Sequence, residues 1–426
     1  MLSLEQYPLS RLADQVGTPF YLYDGSEVKT AVGRLQSLVE GLNANCRYAL
    51  KANSNHRVLQ TCRDAGLWID AVSGNEVLRA MRAGFPGGAE PPVIMLTSDV
   101  FRDNALGVVL EHGVMPNVGS PGMIAGLAGA GYRGPIAVRI NPGFGHGHVQ
   151  SCDTGGPSSK HGIWPEDLSA LRDAAKHASI PITVLHAHVG TGPAPREFDE
   201  NMRRLVGFFA DVLPAFADVT AVNLGGGIPF PYKPGAEPYD LQNWYRPVLA
   251  EAEKSLSKVA GRPIRIEVEP GRYGVAGAGL LVARVTDIKE TRANAKGPGH
   301  TFVMVDAGFN DLVRPAMYGS YHHISVVGAG VGRKVEPLVI AGPLCESGDV
   351  FTRDDQELIQ PRMLPRPDVG DLLVLHDAGA YGAAMSSNYV SMGRAPQVWW
   401  QDGKATLSVR RETLDDIVAT ECNELL

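Results

Sequence analysis

"CRYALKANSNHRVLQTCRDAGLWIDAVS", residues 46–73, reads as one complete step of strand, helix and strand. "CRYALK" (46–51) begins as a strand covered on both faces and then places Lys51 where a buried strand should end. "HRVLQTCRDAGL" sets Val58, Leu59, Cys62 and Ala65 on one helical face and closes with Gly66 at the C-cap. The rhythm then repeats. Further strands are predicted at "WIDAVS" (68–73), "PVIMLTS" (92–98), "VMPNVG" (114–119), "IAVRINP" (136–142), "ITVLHAHVG" (182–190), "AVNLGGG" (221–227) and "RIEVEPG" (265–271). Amphipathic stretches such as "NEVLRAMRAGF" and "DNALGVVLEHGV" lie between them.

Repeated βα units of this size predict an α/β fold, a (β/α)8 TIM barrel over 31–275, with its active site at the carboxyl ends of the strands. Polar residues gather at those ends: Lys51, Asp70 and Ser73, Arg139 and Asn141, His188, Gly225 to Gly227, and Glu269. After residue 275 the texture becomes β-rich, with runs such as "LLVARVTDIKET" and "DLLVLHDAG" and a hairpin signal at "QDGKA" (401–405). Residues 276–426, together with 1–30 and its strand "PFYLYD" (19–24), are expected to form a mainly antiparallel β domain, a sandwich or barrel.

Composition narrows the class of function. The 426 residues carry a formal net charge of −7, which offers no basic face for a phosphodiester backbone and argues against a nucleic-acid partner. No apolar run reaches the length of a membrane helix, and "MLSLEQYPLSRLADQ" lacks a basic n-region and an apolar h-region; a cytoplasmic location and no membrane partner are expected. The cysteines Cys46, Cys62, Cys152, Cys345 and Cys422 are scattered without metal-ligand spacing, which fits reduced thiols.

The strand-end residues carry the chemistry. A desolvated Lys51 is a nucleophile able to form an imine, the means by which pyridoxal phosphate is held. "NLGGGIPFPY" supplies three glycines after a strand, where backbone N–H groups can approach a phosphate, and the Thr191 hydroxyl is a further phosphate donor. "EPGR" places Glu269 where a carboxylate could face a pyridine nitrogen. In "HAHVGTG" the two histidines share a face, but no third ligand has suitable spacing, so no metal is expected. His188 is read as the ring that lies on the cofactor; His186, His322 and His323 are read as structural.

With these residues in hand the chain resembles the fold-type III pyridoxal-phosphate decarboxylases, and within them the diaminopimelate-decarboxylating branch. "YALKAN", "HAHVGTG", "NLGGG", "EPGR", "VDAGFNDLVRPAMYGSYHHIS", "GPLCESGDVF" and "GAYGAAMSSNY" occur in the family's order, and "RINPGFGHGH" with "TGGPSSKHGIW" points to one bacterial branch. The resemblance implies a decarboxylase that converts meso-2,6-diaminopimelate to L-lysine and CO2. It implies Lys51 as the lysine that binds the cofactor and His188 as the stacking ring. Asp70, Thr191, Gly225, Gly226, Gly227, Glu269, Gly271 and Arg272 are then cofactor contacts, and Tyr381 touches both cofactor and substrate.

On the same resemblance Arg272, Arg314, Tyr318 and Glu346 bind substrate and Cys345 donates a proton. Cys345 and Glu346 reach the site of the partner subunit, which implies a homodimer with shared active sites. Two positions depart from the family's pattern: Thr191 stands where Ser is usual, and Val390 where Asn is usual. The competing readings are a paralogue that decarboxylates another diamino acid or a carrier-linked or siderophore-linked one, and a non-catalytic cofactor-binding regulator. A glutamate after the cysteine, rather than the aspartate of ornithine-type relatives, favours the longer zwitterionic substrate.

Overall fold

The computed structural model describes residues 1–145, 147, 153–295, 297–328, 332–422 and 424. Cys152 and part of the 143–164 loop lie outside the described residues. The chain divides into two units, one of Lys29–Pro231 with Glu237–Gly274, the other of Met1–Val28, Tyr232–Ala236 and Val275–Leu426. No described helix is long and apolar enough to cross a membrane.

Strand β1 (Phe20–Asp24) belongs to the second unit. The next eight strands close a parallel barrel in chain order. They are β2 (Ala44–Ala49), β3 (Trp68–Ala71), β4 (Ile94–Thr97), β5 (Met115–Val118), β6 (Ile136–Arg139), β7 (Ile182–His186), β8 (Ala221–Asn223) and β9 (Arg265–Val268). All eight expected strands are present. Each stops short of its expected carboxyl end, and after β6, β7, β8 and β9 the Gly, Pro and Asn residues there turn the chain out of the ladder.

Lys51 therefore lies in a one-turn 3-10 helix, Leu50–Ala52, just beyond β2. His188 and Glu269 likewise stand after their strands. The helix His56–Asp64 also ends earlier than its pattern suggested: Ala65 is the C-cap, and Gly66, at φ +75°, takes the left-handed turn that follows.

The barrel interior is filled in part by Met95, Met115, Ala137, Val184 and Ala221, one residue from each of five consecutive strands. Its seam between β2 and β9 is charged. Arg47 Nε donates to Glu267 at 2.7 Å and Nη2 to the same carboxylate at 3.1 Å, both side chains being fully buried. Arg47 further donates to the carbonyls of Pro92 and Val93 at 3.0 Å and lies 4.6 Å over the Trp68 ring. A buried pair is tolerable only when its donors and acceptors are satisfied in this way.

In the second unit the strands are β10 (Gly279–Glu290), β11 (Thr301–Val305), β12 (Ile324–Val326), β13 (Val335–Ala341), β14 (Arg362–Pro365), β15 (Leu372–Leu375), β16 (Gln397–Gln401) and β17 (Lys404–Val409). With β1 they form one nine-stranded sheet along the path β14-β13-β11-β10-β1-β16-β17, from which β12 and β15 branch. Pairing is mostly antiparallel, but β1 runs parallel to β16 and β11 to β13, so the sheet is mixed. The hairpin signal at 401–405 joins β16 to β17, with Asp402 and Gly403 both at positive φ and Gln401 opposite Lys404. Phe20, Leu22, Leu280, Val282, Val374 and Val398 form the centre of its core.

Candidate active site

Three turns at the carboxyl ends of β2, β8 and β9 build the centre of the barrel mouth. Gly271 lets the turn after β9 lie against β2, since a Cβ there would meet Ala52 Cβ at 2.9 Å and Ala49 Cβ at 3.1 Å. The same turn is tied to β2 by Ala49 N–H donating to the Pro270 carbonyl at 3.1 Å. Glu269 and the base of Lys51 are thus fixed to one another through backbone. Gly225 to Gly227 approach other main chain closely: a Cβ on Gly225 would lie 2.7 Å from the Ala187 carbonyl, and those of Gly226 and Gly227 would overlap the carbonyls of Glu269 and Gly190.

Glu269 is 6% exposed. Its Oε1 accepts from Asn223 Nδ2 at 2.7 Å, and its Oε2 lies 3.3 Å from His186 Nε2, off the line of a good hydrogen bond. Burial alone would raise its pKa, but the N–H edge of His186 and the Lys51 cation hold it well below the usual carboxylate range, so Glu269 is an anion. Asn117 Nδ2 donates to His186 Nδ1 at 2.8 Å and to Thr97 Oγ1 at 3.2 Å. Burial pushes the His186 imidazole toward its neutral form, which puts its proton on Nε2, facing Glu269.

His188 accepts from Gly226 N–H through Nδ1 at 3.3 Å. Burial, then the Lys51 and Arg139 cations, push its pKa well below the ordinary value, so this ring is neutral too. Asp70 is 1% exposed, and neither carboxylate oxygen has a well-aligned partner, although the Thr97 hydroxyl is close enough to favour its charge. Burial and the charge of Glu269 push it up to about 7 against the pull of Lys51.

Lys51 itself is exposed to a cavity of about 430 Å³ lined by Ser73, Thr97, Asp99, Arg139 and His161 among others. The turn that carries Lys51 out of β2 leaves it lining this cavity. Ser73 is a helix cap, its Oγ accepting from Glu76 N–H at 3.1 Å. Asn141 closes the described ends of the 143–164 loop by accepting from Gly143 at 3.1 Å and Gly156 at 2.8 Å. Whether that loop acts as a lid rests on residues outside those described.

The second unit presents the remaining expected residues. Arg314 and Tyr318 begin and end a short helix, Arg314 being 3% exposed and Tyr318 half-buried. Cys345 and Glu346 are exposed at the tip of a tight loop. That loop is closed from beneath by the buried Asp349, whose carboxylate accepts from Phe309 N–H at 2.7 Å and Leu344 N–H at 2.8 Å. Tyr381 holds φ +56°, a conformation that costs energy in a non-glycine residue and is common at functional sites.

Sequence reasoning missed Asn223, Asn117 and the contact of His186 with Glu269. The shared face of the two histidines in "HAHVGTG" was a signal for it, since the inward-facing member of such a pair must find a polar partner. Among the described residues no group of three or more His, Cys, Asp or Glu side chains is placed to hold a metal ion.

Residues 26–276 match the family model of the pyridoxal binding domain of pyridoxal-dependent decarboxylases. The chain is 40% identical over 416 residues to the diaminopimelate decarboxylase of Streptomyces coelicolor, which covers 97% of this chain and 91% of that one. A crystal structure of diaminopimelate decarboxylase matches with a TM-score of 0.88 at 38% identity over 96% of this chain and 95% of that one. The diaminopimelate decarboxylase of M. jannaschii in complex with L-lysine matches with a TM-score of 0.83 at 29% identity over 98% of this chain and 95% of that one.

Proposed function

The chain belongs to the pyridoxal-dependent decarboxylases, and we propose that it is the one that removes CO2 from meso-2,6-diaminopimelate to leave L-lysine, the last step of lysine biosynthesis. The observation that carries this reading is an ionised, buried Glu269 at the mouth of a barrel whose first strand releases Lys51, in a chain 40% identical along 97% of its length to a diaminopimelate decarboxylase.

The cofactor is pyridoxal phosphate, and the residues present fit it. Gly225 to Gly227 pack closely on the main chain of neighbouring turns, and we assign their backbone N–H groups, with the Thr191 hydroxyl, to the phosphate. Lys51 lines the cavity, His188 offers a neutral ring for stacking, and Glu269 offers an anion to a pyridine nitrogen. Asp70, Gly271, Arg272 and Tyr381 complete the set we assign to cofactor binding. When bound, the cofactor supplies an electron sink for the pair left on Cα as CO2 departs.

The chain's own side chains then bind, orient and protonate. Arg272 and Arg314 take the distal carboxylate, for which a planar guanidinium gives paired N–H donors. Glu346 pairs with the distal ammonium, while Tyr318 and Tyr381 bound the substrate. Cys345 delivers a proton to Cα. The exposure of Cys345 and Glu346 on a loop held by a buried aspartate suits their reaching into a second subunit, and we read the protein as a cytoplasmic homodimer with shared sites.

The test is CO2 release by the purified, cofactor-loaded protein on meso-diaminopimelate, L-lysine and L-ornithine, with chiral analysis of the product. Turnover of meso-diaminopimelate alone to L-lysine is the expected result. A cofactor-loaded protein inactive on it but active on another diamino acid would overturn the substrate assignment and leave the cofactor site standing.

A further inference from the structure

Arg314 is held from several sides within its own unit. Its Nη1 donates to His322 Nε2 at 2.7 Å, its Nη2 donates to Ser320 Oγ at 3.3 Å, and its Cζ lies 4.6 Å over the Tyr232 ring. The His322 ring is fixed in turn. Its Nδ1 lies 2.8 Å from the main-chain carbonyl of His376, and Tyr232 packs edge-on against it with ring centres 5.5 Å apart. His322 is 2% exposed.

These contacts decide the tautomer. A carbonyl oxygen can only accept, so Nδ1 carries a proton. The guanidinium can only donate, so Nε2 presents its lone pair. A doubly protonated ring would set N–H against N–H between two buried cations. His322 is therefore neutral, with one polar edge on main chain and the other on Arg314.

We propose that His322 is a positioning residue that fixes the Arg314 guanidinium for the distal carboxylate of the substrate. The proposal rests on the reading of Arg314 given above. The chemistry favours an imidazole for this task. A carboxylate in its place would orient the guanidinium equally well but cancel the charge that must attract the substrate. A neutral ring sets the direction and leaves that charge in force. The segment "RPAMYGSYHHIS" thus contains both the arginine and, eight residues later, its acceptor.

The test compares His322→Leu and His322→Gln holoenzymes with the parent on meso-diaminopimelate, and measures inhibition by L-lysine and by cadaverine, which lacks the carboxylate. His322→Leu is expected to raise KM about tenfold or more, the loss of one hydrogen bond to a charged group, with kcat changed by no more than about twofold. Inhibition by L-lysine should weaken by a similar factor and that by cadaverine should not. His322→Gln, which keeps an acceptor near the Nε2 position, should recover most of the loss.

If His322→Leu does not fold, His322→Asn keeps a donor for the His376 carbonyl while withdrawing the acceptor from Arg314, and the same differences are expected. Equal weakening of L-lysine and cadaverine, or a fall in kcat at unchanged KM, would overturn the proposal. Arg314→Lys separates the two levels. If it leaves KM unchanged, the substrate role of Arg314 fails; if it raises KM while the His322 variants do not, only the positioning role fails.

Discussion

Glu267 and Glu269, two residues apart at the end of one barrel strand, both remain ionised in the interior, each through a different set of partners. Burial would raise both. Glu267 is pulled down by Arg47 and Arg265, the latter at 2.9 Å, and these contacts close the barrel seam. Glu269 is pulled down by His186 and Lys51, just beyond the end of the strand. One carboxylate closes the seam, and its neighbour is the one we assign to the cofactor.

The seam pair predicts a stability effect. Arg47→Met leaves Glu267 buried with only Arg265 for charge and strips donors from three carbonyl groups. A loss of about 3–5 kcal/mol is expected in denaturant unfolding of the cofactor-free protein. Adding Glu267→Leu should return a large part of it, because the uncompensated charge goes too. A single variant with the parent's midpoint would count against this account.

Glu269→Gln preserves shape and the bond from Asn223 Nδ2 but removes the charge. The variant should fold normally and still take up cofactor, with kcat reduced about 10²–10³-fold, as for the loss of one aligned electrostatic partner. Steady-state rates beside a melting curve check it. Parent-like kcat would mean that the anion at this position is not used.

Asp70 gives a pH dependence. Its folded pKa, pushed up to about 7 by burial and by Glu269, stands above its ordinary value of 3.8, so the folded state holds this proton more tightly than the unfolded chain does. Its stability contribution is complete below pH ~4 and is lost as pH rises through 7. Cofactor-free Asp70→Asn should therefore match the parent at pH 4 and exceed it at pH 8, by up to about 4 kcal/mol. Parallel curves for the two proteins from pH 4 to 8 would rule this out.

Val390 sits at φ +50°, ψ +32° and is 51% exposed. A β-branched residue in the left-handed region loses roughly 1–2 kcal/mol, whereas Asn, the residue usual in the resembling family, adopts it readily. Val390→Asn should stabilise the protein by about 1 kcal/mol, seen as a higher melting temperature, with kcat/KM for meso-diaminopimelate unchanged. A shift in substrate preference without any gain in stability would instead place Val390 at the substrate pocket.

Much of this molecule is legible in its residues. The eight barrel strands were readable because strands buried on both faces need continuous apolar runs, and the turns between them need glycine. The hairpin at Asp402 and Gly403 was readable because few residue pairs accept two positive φ angles in succession. Arg47 was not. It occupies an apolar run and looks like an exception until Glu267, 220 residues away in sequence, is seen beside it.

The same holds at the mouth. Lys51, His188 and Glu269 announce themselves because ionisable residues are rare at the ends of buried strands. What holds Glu269 ionised is contributed by β5, β7 and β8 through Asn117, His186 and Asn223, and no local pattern connects these residues. By itself the sequence determined the order of elements and the cofactor's chemical class, since each follows from periodicity or residue type over a few neighbours. Only the tertiary structure decided which buried charges are paired, which tautomer His322 adopts and that Lys51 opens into a cavity. Those are set by hydrogen bonds and desolvation between residues far apart in the chain.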